Sequence, residues 1–174
     1  MKCDLSEAII EQIPSLRRFA RSLCRDAEKA DDVVQECLLR AIAGVDSFTP
    51  GTNLTAWLFT ILRNCFLNGM RRQRREQTWN SAGQEESHER ALDASQPHVL
   101  ALAQLWADVD RLPPAMRECL MLVAVEGLSY EDAAAVLHVP VGTVRSRLSR
   151  ARSTLLRMQE GVAQGEEEPC RATA

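Results

Sequence analysis

Between Thr143 and Arg150 the chain reads Thr-Val-Arg-Ser-Arg-Leu-Ser-Arg. If Val144 and Leu148 face a core, Arg145, Ser146, Ser149 and Arg150 share the outward side of one helix. Thr143 then stands near its start, and Arg147 belongs to the same basic run. Guanidinium groups at that spacing neutralise phosphates and reach a guanine edge in bidentate fashion. A solvated basic face on an ordinary bundle helix has the same pattern. The residues before it favour groove reading. Ser129 with Asp132 resembles a capping box, Ala133, Ala134 and Ala135 allow close packing, and His-Val-Pro-Val-Gly at 138–142 makes a tight turn. Two helices joined this way pack at a steep angle, leaving the second free to enter a major groove.

A second basic block, Arg71, Arg72, Arg74 and Arg75, follows Arg63 and Asn64. Cations suit a helix C-terminus, but four arginines in five residues exceed what dipole compensation needs, so contact with backbone phosphates is expected. Trp57 falls within an apolar stripe and reads as core. Phe59 lies off that stripe, and with Phe48 in the preceding loop it is the better candidate to meet unstacked bases. Acidic residues open another helix at Asp31, Asp32 and Glu36, beside Val34 and Gln35. The helix macrodipole explains carboxylates there, and a partner rich in Arg or Lys explains them equally well. None of these residues is arranged for bond-making chemistry. There are no paired carboxylates facing a nucleophile, no glycine-rich phosphate loop and no metal-ligand spacing, so neither an enzyme nor a cofactor is expected.

The chain has 174 residues and a formal net charge of −3, which argues against indiscriminate coating of nucleic acid. The average conceals clustering: arginines gather in the two blocks above, while acids gather at 26–36, 85–89 and 166–168. A protein meeting both a basic surface and an acidic polymer would carry such a pattern. The six cysteines are scattered without Cys-x-x-Cys spacing, and Cys37 and Cys65 fall on apolar helix faces, as buried thiols do. No signal peptide or membrane-length apolar run is present, so a cytoplasmic location without membrane insertion is expected.

The elements that must position these groups are helices. Ile9, Ile10, Ile13, Leu16, Phe19, Ala20 and Leu23 recur at helical spacing, with Pro14 kinking or delaying that helix. Val33, Val34, Cys37, Leu38, Ala41 and Ile42 mark a second. Leu54, Trp57, Leu58, Ile61, Leu62, Cys65 and Phe66 mark a third, with Thr52 as its expected N-cap. Residues 77–97 are polar and without periodicity, as a linker would be. Such a segment spans roughly 70 Å extended and about 25 Å as a coil, against about 34–36 Å for one DNA turn. Helical patterns resume through Val99, Leu102, Trp106 and Val109, through Met116, Cys119, Leu120 and Val123 as far as Gly127, and in the two helices of the turn motif. Beyond Met158 the pattern frays. The expectation is an all-α chain of two small domains, 6–76 and 98–160, joined by a flexible linker at 77–97 and followed by an acidic, structureless tail at 161–174.

Together these segments resemble the sigma factors of bacterial RNA polymerase, in particular the small extracytoplasmic-function class. Arg25-Asp26 and Ala30-Asp31-Asp32-Val33-Val34-Gln35-Glu36 resemble the part of region two that grips the polymerase clamp. Phe48 through Asn64, with Gly51-Thr52-Asn53-Leu54 and Ala56-Trp57-Leu58-Phe59-Thr60-Ile61, is similar to the part that opens and reads the minus-ten element. Leu112-Pro113-Pro114, Glu126 through Ala134 and Val139 through Leu148 resemble region four, the minus-thirty-five reader. The wording of Gly51–Leu54 and Val125–Ala134 is similar to the general-stress-response group of alphaproteobacteria. Thr55 departs from the basic residue common in relatives, which removes one possible strand contact.

The resemblance implies a three-helix region two and a helix-turn-helix region four. It implies that Asp31, Asp32, Val34, Gln35 and Glu36 dock on core polymerase, whose clamp and flap are the expected partners. Phe48, Asn53, Phe59, Arg63, Asn64, Arg71, Arg72, Arg74 and Arg75 would hold the minus-ten strand. Thr143, Arg145, Ser146, Arg147, Ser149 and Arg150 would contact the minus-thirty-five groove. Promoter DNA and an anti-sigma protein complete the expected partners. Two alternatives stand beside this: a dimeric helix-turn-helix regulator acting without polymerase, and a sigma mimic that titrates an anti-sigma protein.

Overall fold

The structure, a computed structural model, describes residues 2–79 and 97–165, with side chains described for 5–76 and 101–159. Most of the expected linker, residues 166–174 of the expected tail, His88 and Cys170 lie outside the described residues, while 161–165, expected to be structureless, are helical. Every regular element among the described residues is helical.

Helix α1 (Lys2–Glu11) and helix α2 (Ile13–Cys24) divide the first apolar pattern between them. Pro14 stands in the first turn of α2, where a missing N–H costs nothing, so it starts a helix here and kinks none. Helix α3 (Ala27–Ala43) is capped by Asp26, whose carboxylate accepts from the N–H groups of Glu28 and Lys29 at 2.9 and 3.1 Å. Helix α4 (Leu54–Trp79) is capped by Asn53, not by the expected Thr52. The Asn53 Oδ1 accepts from Ala56 N at 3.2 Å, while the Thr52 hydroxyl donates back to Thr49 O at 2.7 Å. The helix also continues past the expected domain end at 76 into the first three residues assigned to the linker.

Helix α5 (Pro97–Arg111) is followed by α6 (Pro114–Leu120), opened by Pro114, and a wide π-helical turn at Met121–Val125. In that turn Glu126 N reaches Met121 O, five residues back, at 3.0 Å. Gly127 then takes φ +72, which favours glycine. Helix α7 (Tyr130–Leu137) is capped by Ser129, which accepts from Asp132 N at 3.0 Å. His138 closes it in the left-handed region at φ 54, exposed on the turn. Helix α8 (Val141–Gly165) carries on well beyond Met158, where fraying was expected.

The two halves are not held apart. The buried residues form one continuous cluster, from Leu16, Phe19, Val34, Leu58 and Leu62 through Leu112, Leu122 and Leu137 to Val144 and Leu148. Helix α4 packs against α2 and α3 on its own side and against α7 of the second half, while α2 also meets α6. Covered on several sides, α4 buries neighbouring positions and not a single stripe.

Candidate nucleic-acid interface

Helix α8 presents the expected polar face. Val144, Leu148 and Ala151 are buried, and Arg145, Ser146, Ser149 and Arg150 are exposed. Arg152 and Ser153 extend the same face by another turn, a continuation that the arginine spacing signalled and the initial assignment omitted. The Ser146 hydroxyl donates to the Thr143 carbonyl at 3.0 Å, which ties that side chain to the helix backbone, and Thr143 itself is partly buried in the first turn. Arg145 lies with its guanidinium over the Tyr130 ring, at 5.8 Å from the ring centre. Arg147 is partly buried, unlike the exposed Arg145 and Arg150 of the same run, and its side chain approaches the buried Cys119 thiol of α6. Burial raises that thiol's pKa, and Arg147 offsets part of the rise. Arg147 is thus set back from the fully exposed residues of the face.

In the first half, Arg71, Arg72, Arg74 and Arg75 are exposed near the end of α4, and Asn68 joins Arg71, Arg74 and Arg75 around a shallow open groove. Arg72 pairs with Glu76 one turn on, at 2.8 Å, which raises its pKa through the hydrogen bond. Asn64 is exposed. Phe48 is half-buried and leans on Trp57, itself only partly buried, with ring centres 5.3 Å apart. Phe59, expected to meet bases, is wholly buried and packs edge-on against Phe19 at 5.1 Å. It is a core residue. Arg63 is also not free, since its Nε lies 2.9 Å from Glu118 Oε2. Asn53 combines its capping role with a second bond, Nδ2 donating to Asp132 Oδ2 at 2.8 Å.

Along α3, Asp32, Gln35 and Glu36 are exposed on one face. Val34 is buried, 3% exposed, and so belongs to the core and not to that face. Asp31 is partly covered and stands 3.3 Å from Arg17 Nε, close enough for an ion pair but misaligned for a hydrogen bond. Leu39 and Ile42 follow these polar residues along α3 at 69% and 64% exposure, although Ile42 was expected inside. Two large apolar side chains open to water on an acidic helix face are a signal that periodicity alone passed over. Among the described residues no cluster of His, Cys, Asp and Glu is fit to hold a metal, and no helix is long and apolar enough to cross a membrane.

Two family models match in order along the chain: sigma-70 region 2 over residues 9–76 and sigma-70 region 4 over residues 102–155. The extracytoplasmic-function RNA polymerase sigma factor EcfG of Rhodopseudomonas palustris is 49% identical over 153 residues, covering 87% of this chain and 82% of that protein. The solved structure of the sigma factor RpoE in complex with the anti-sigma factor NepR, from Bartonella quintana, aligns with a TM-score of 0.78 at 39% identity, covering 90% of this chain and 97% of that one. CnrH in complex with the cytosolic domain of CnrY aligns with a TM-score of 0.67 at 27% identity, over 92% and 90% of the two chains. With both sigma regions in order, and an exposed arginine face on the last helix of the turn motif, this chain belongs to the extracytoplasmic-function sigma factors of RNA polymerase.

Proposed function

We propose that this sigma factor works as a two-handed promoter adaptor of the general stress response, with the roles divided between named faces. It directs initiation and is not an enzyme; the polymerase carries the chemistry. The single observation that supports the division best is the α8 face, where Arg145, Ser146, Ser149, Arg150 and Arg152 stand exposed over a buried Val144–Leu148–Ala151 seam. In this reading that face enters the minus-thirty-five major groove. Asn64, Arg63, Asn53 and the arginines at 71–75 hold the melted minus-ten strand, with the loop at 47–53 and Phe48 receiving an extruded base. Extrusion costs a few kcal/mol, which contacts to the freed base and strand must offset.

Asp32, Gln35 and Glu36, with Leu39 and Ile42 following them along the same helix, form the polymerase-docking face, Asp31 sitting at its edge. Exposed apolar side chains beside charged ones are the composition of a specific protein contact. The domain division at 6–76 and 98–160, with a tether between, belongs to this reading, as does a cytoplasmic location. An inhibitory anti-sigma partner is part of it as well, since the Bartonella relative is seen in complex with one.

Run-off transcription with core polymerase tests the adaptor role. The expected result is a new promoter-specific start when the protein is added; no such start would overturn it. Co-elution with core polymerase on a sizing column separates this reading from a dimeric regulator, which would elute apart from the enzyme. A mimic would bind an anti-sigma protein yet give no transcript.

A further inference from the structure

Three side-chain contacts cross between the halves, and each places a carboxylate of the second half on a polar group of the first. Arg63 Nε meets Glu118 Oε2 at 2.9 Å, with the two side chains only 17% and 13% exposed. Asn53 Nδ2 meets Asp132 Oδ2 at 2.8 Å. Arg18 grips Glu126 with two bonds of 3.0 and 2.9 Å, leaving the glutamate side chain 2% exposed. That hydrogen bond also raises the Arg18 pKa. Arg25 Nη2 adds a fourth crossing, to the Asp110 carbonyl at 2.7 Å.

Two of these four fall on residues assigned above to the minus-ten strand. A carboxylate, like a phosphodiester, offers a guanidinium anionic oxygen acceptors for charge-assisted hydrogen bonds. We propose that the acidic edge formed by Glu118 and Asp132 is an internal stand-in for the promoter strand, seated on the strand-binding face of its own first half. The proposal rests on the assignment of Arg63 and Asn53 as strand contacts.

The chemistry makes the two occupants mutually exclusive. Arg63 is largely withdrawn from water, so Glu118 leaves it only if another anion takes its place or the site reopens to solvent. Asn53 keeps its capping bond to Ala56 in either case, and only its amide N–H changes partner. Arg18–Glu126 and Arg25–Asp110 hold the closed arrangement at positions the strand does not need. Closure thereby lowers the apparent affinity of the free chain for DNA in proportion to the fraction of molecules that are open. A surface that separates the halves, as a polymerase engaging both would, removes that handicap.

The test uses the full free chain carrying spin labels, introduced through non-natural amino acids at the exposed positions Ala27 and Ala135, and a fluorescent random-sequence single-stranded DNA. The double variant Glu118→Gln/Asp132→Asn is expected to lengthen and broaden the label separation and to tighten strand binding about tenfold. The control Glu7→Gln/Glu131→Gln makes the same change in charge at exposed sites outside these contacts, and is expected to move neither readout. Adding Arg63→Ala to the double variant should abolish the gain in binding. An unchanged label distance, or a control that binds DNA as tightly as the double variant, overturns the proposal. Opened halves without tighter strand binding overturn it as well, because the released side chains then do not bind the strand. Arg63→Ala measured separately in holoenzyme run-off transcription decides the underlying assignment: a normal rate of promoter opening removes Arg63 from the strand contacts whatever the labels report.

Discussion

The Arg145 guanidinium lies over the Tyr130 ring, its carbon 5.8 Å from the ring centre, although fifteen positions and a turn separate them in the chain. The ring rises from the first turn of α7 and the cation from the start of α8, so the packing angle of the two helices sets where the arginine points. A cation held over a ring at the protein surface is worth about 0.5–1 kcal/mol. Tyr130→Leu should therefore relax base choice at one position of the upstream element by roughly two- to fivefold. Tyr130→Phe should retain it. Selection of promoters from a random library by the holoenzyme reads both, and equal profiles for the two variants would show that the contact does not steer Arg145.

Arg145→Ala and Arg150→Ala should each weaken promoters that carry the minus-thirty-five element, by about 1–3 kcal/mol, and spare promoters without it. An equal loss on both kinds would contradict a groove-reading face. Arg147→Ala should behave differently. It is partly buried beside the Cys119 thiol of α6, so the change should lower the melting temperature and leave the promoter profile as it was.

Phe59→Ala should cost about 3–5 kcal/mol in urea unfolding, as loss of a buried aromatic does. Phe48→Ala, removing one half-buried partner of a single ring pair, should cost far less and instead slow promoter opening. A small stability loss at Phe59 would place that ring outside the core.

The cap of α4 separates two adjacent candidates. Asn53→Ala should destabilise the fold by about 1 kcal/mol. Thr52→Ala, which loses only a bond back to Thr49, should cost less. Equal losses would mean that the helix has no single cap.

Burial pushes the Cys37 thiol up to about 12 and the Cys24 thiol up to about 11, from an ordinary 9.0. Between those values the unfolded chain has already lost these protons while the folded chain retains them. Stability is therefore fully present below pH 9 and falls as pH rises toward 12. Cys37→Ala should flatten that alkaline slope in melting curves taken across the same interval. An unchanged slope would remove Cys37 as its source.

The helices were legible because apolar residues recur at a helical period, and the turn motif because its cap, small residues and turn are contiguous. What escaped depends on contacts between distant segments. Phe59 looked solvent-facing because one stripe was assumed for α4, whereas α2 covers a second side and buries Leu58 and Phe59 together. Arg63 meets a glutamate 55 positions away, and no local pattern reports such a pairing. Periodicity points Ile42 inward, yet it stands 64% exposed at the end of α3. Thr52 and Asn53 are both good caps by residue type, and only backbone direction chooses between them.

The wide turn at Met121–Val125 holds one residue more than a regular helix would need there, and each residue of a helix rotates the next by about 100°. Glu126 owes its aim at Arg18 to that surplus. Deleting any one residue of the turn would swing the carboxylate about a quarter of a circle aside and set the following pair of helices, α7 and α8, on a different heading. The spacing between α6 and α7 therefore acts as an alignment gauge, and lengthening or shortening it should be tolerated far less well than changing the identity of the side chains within it.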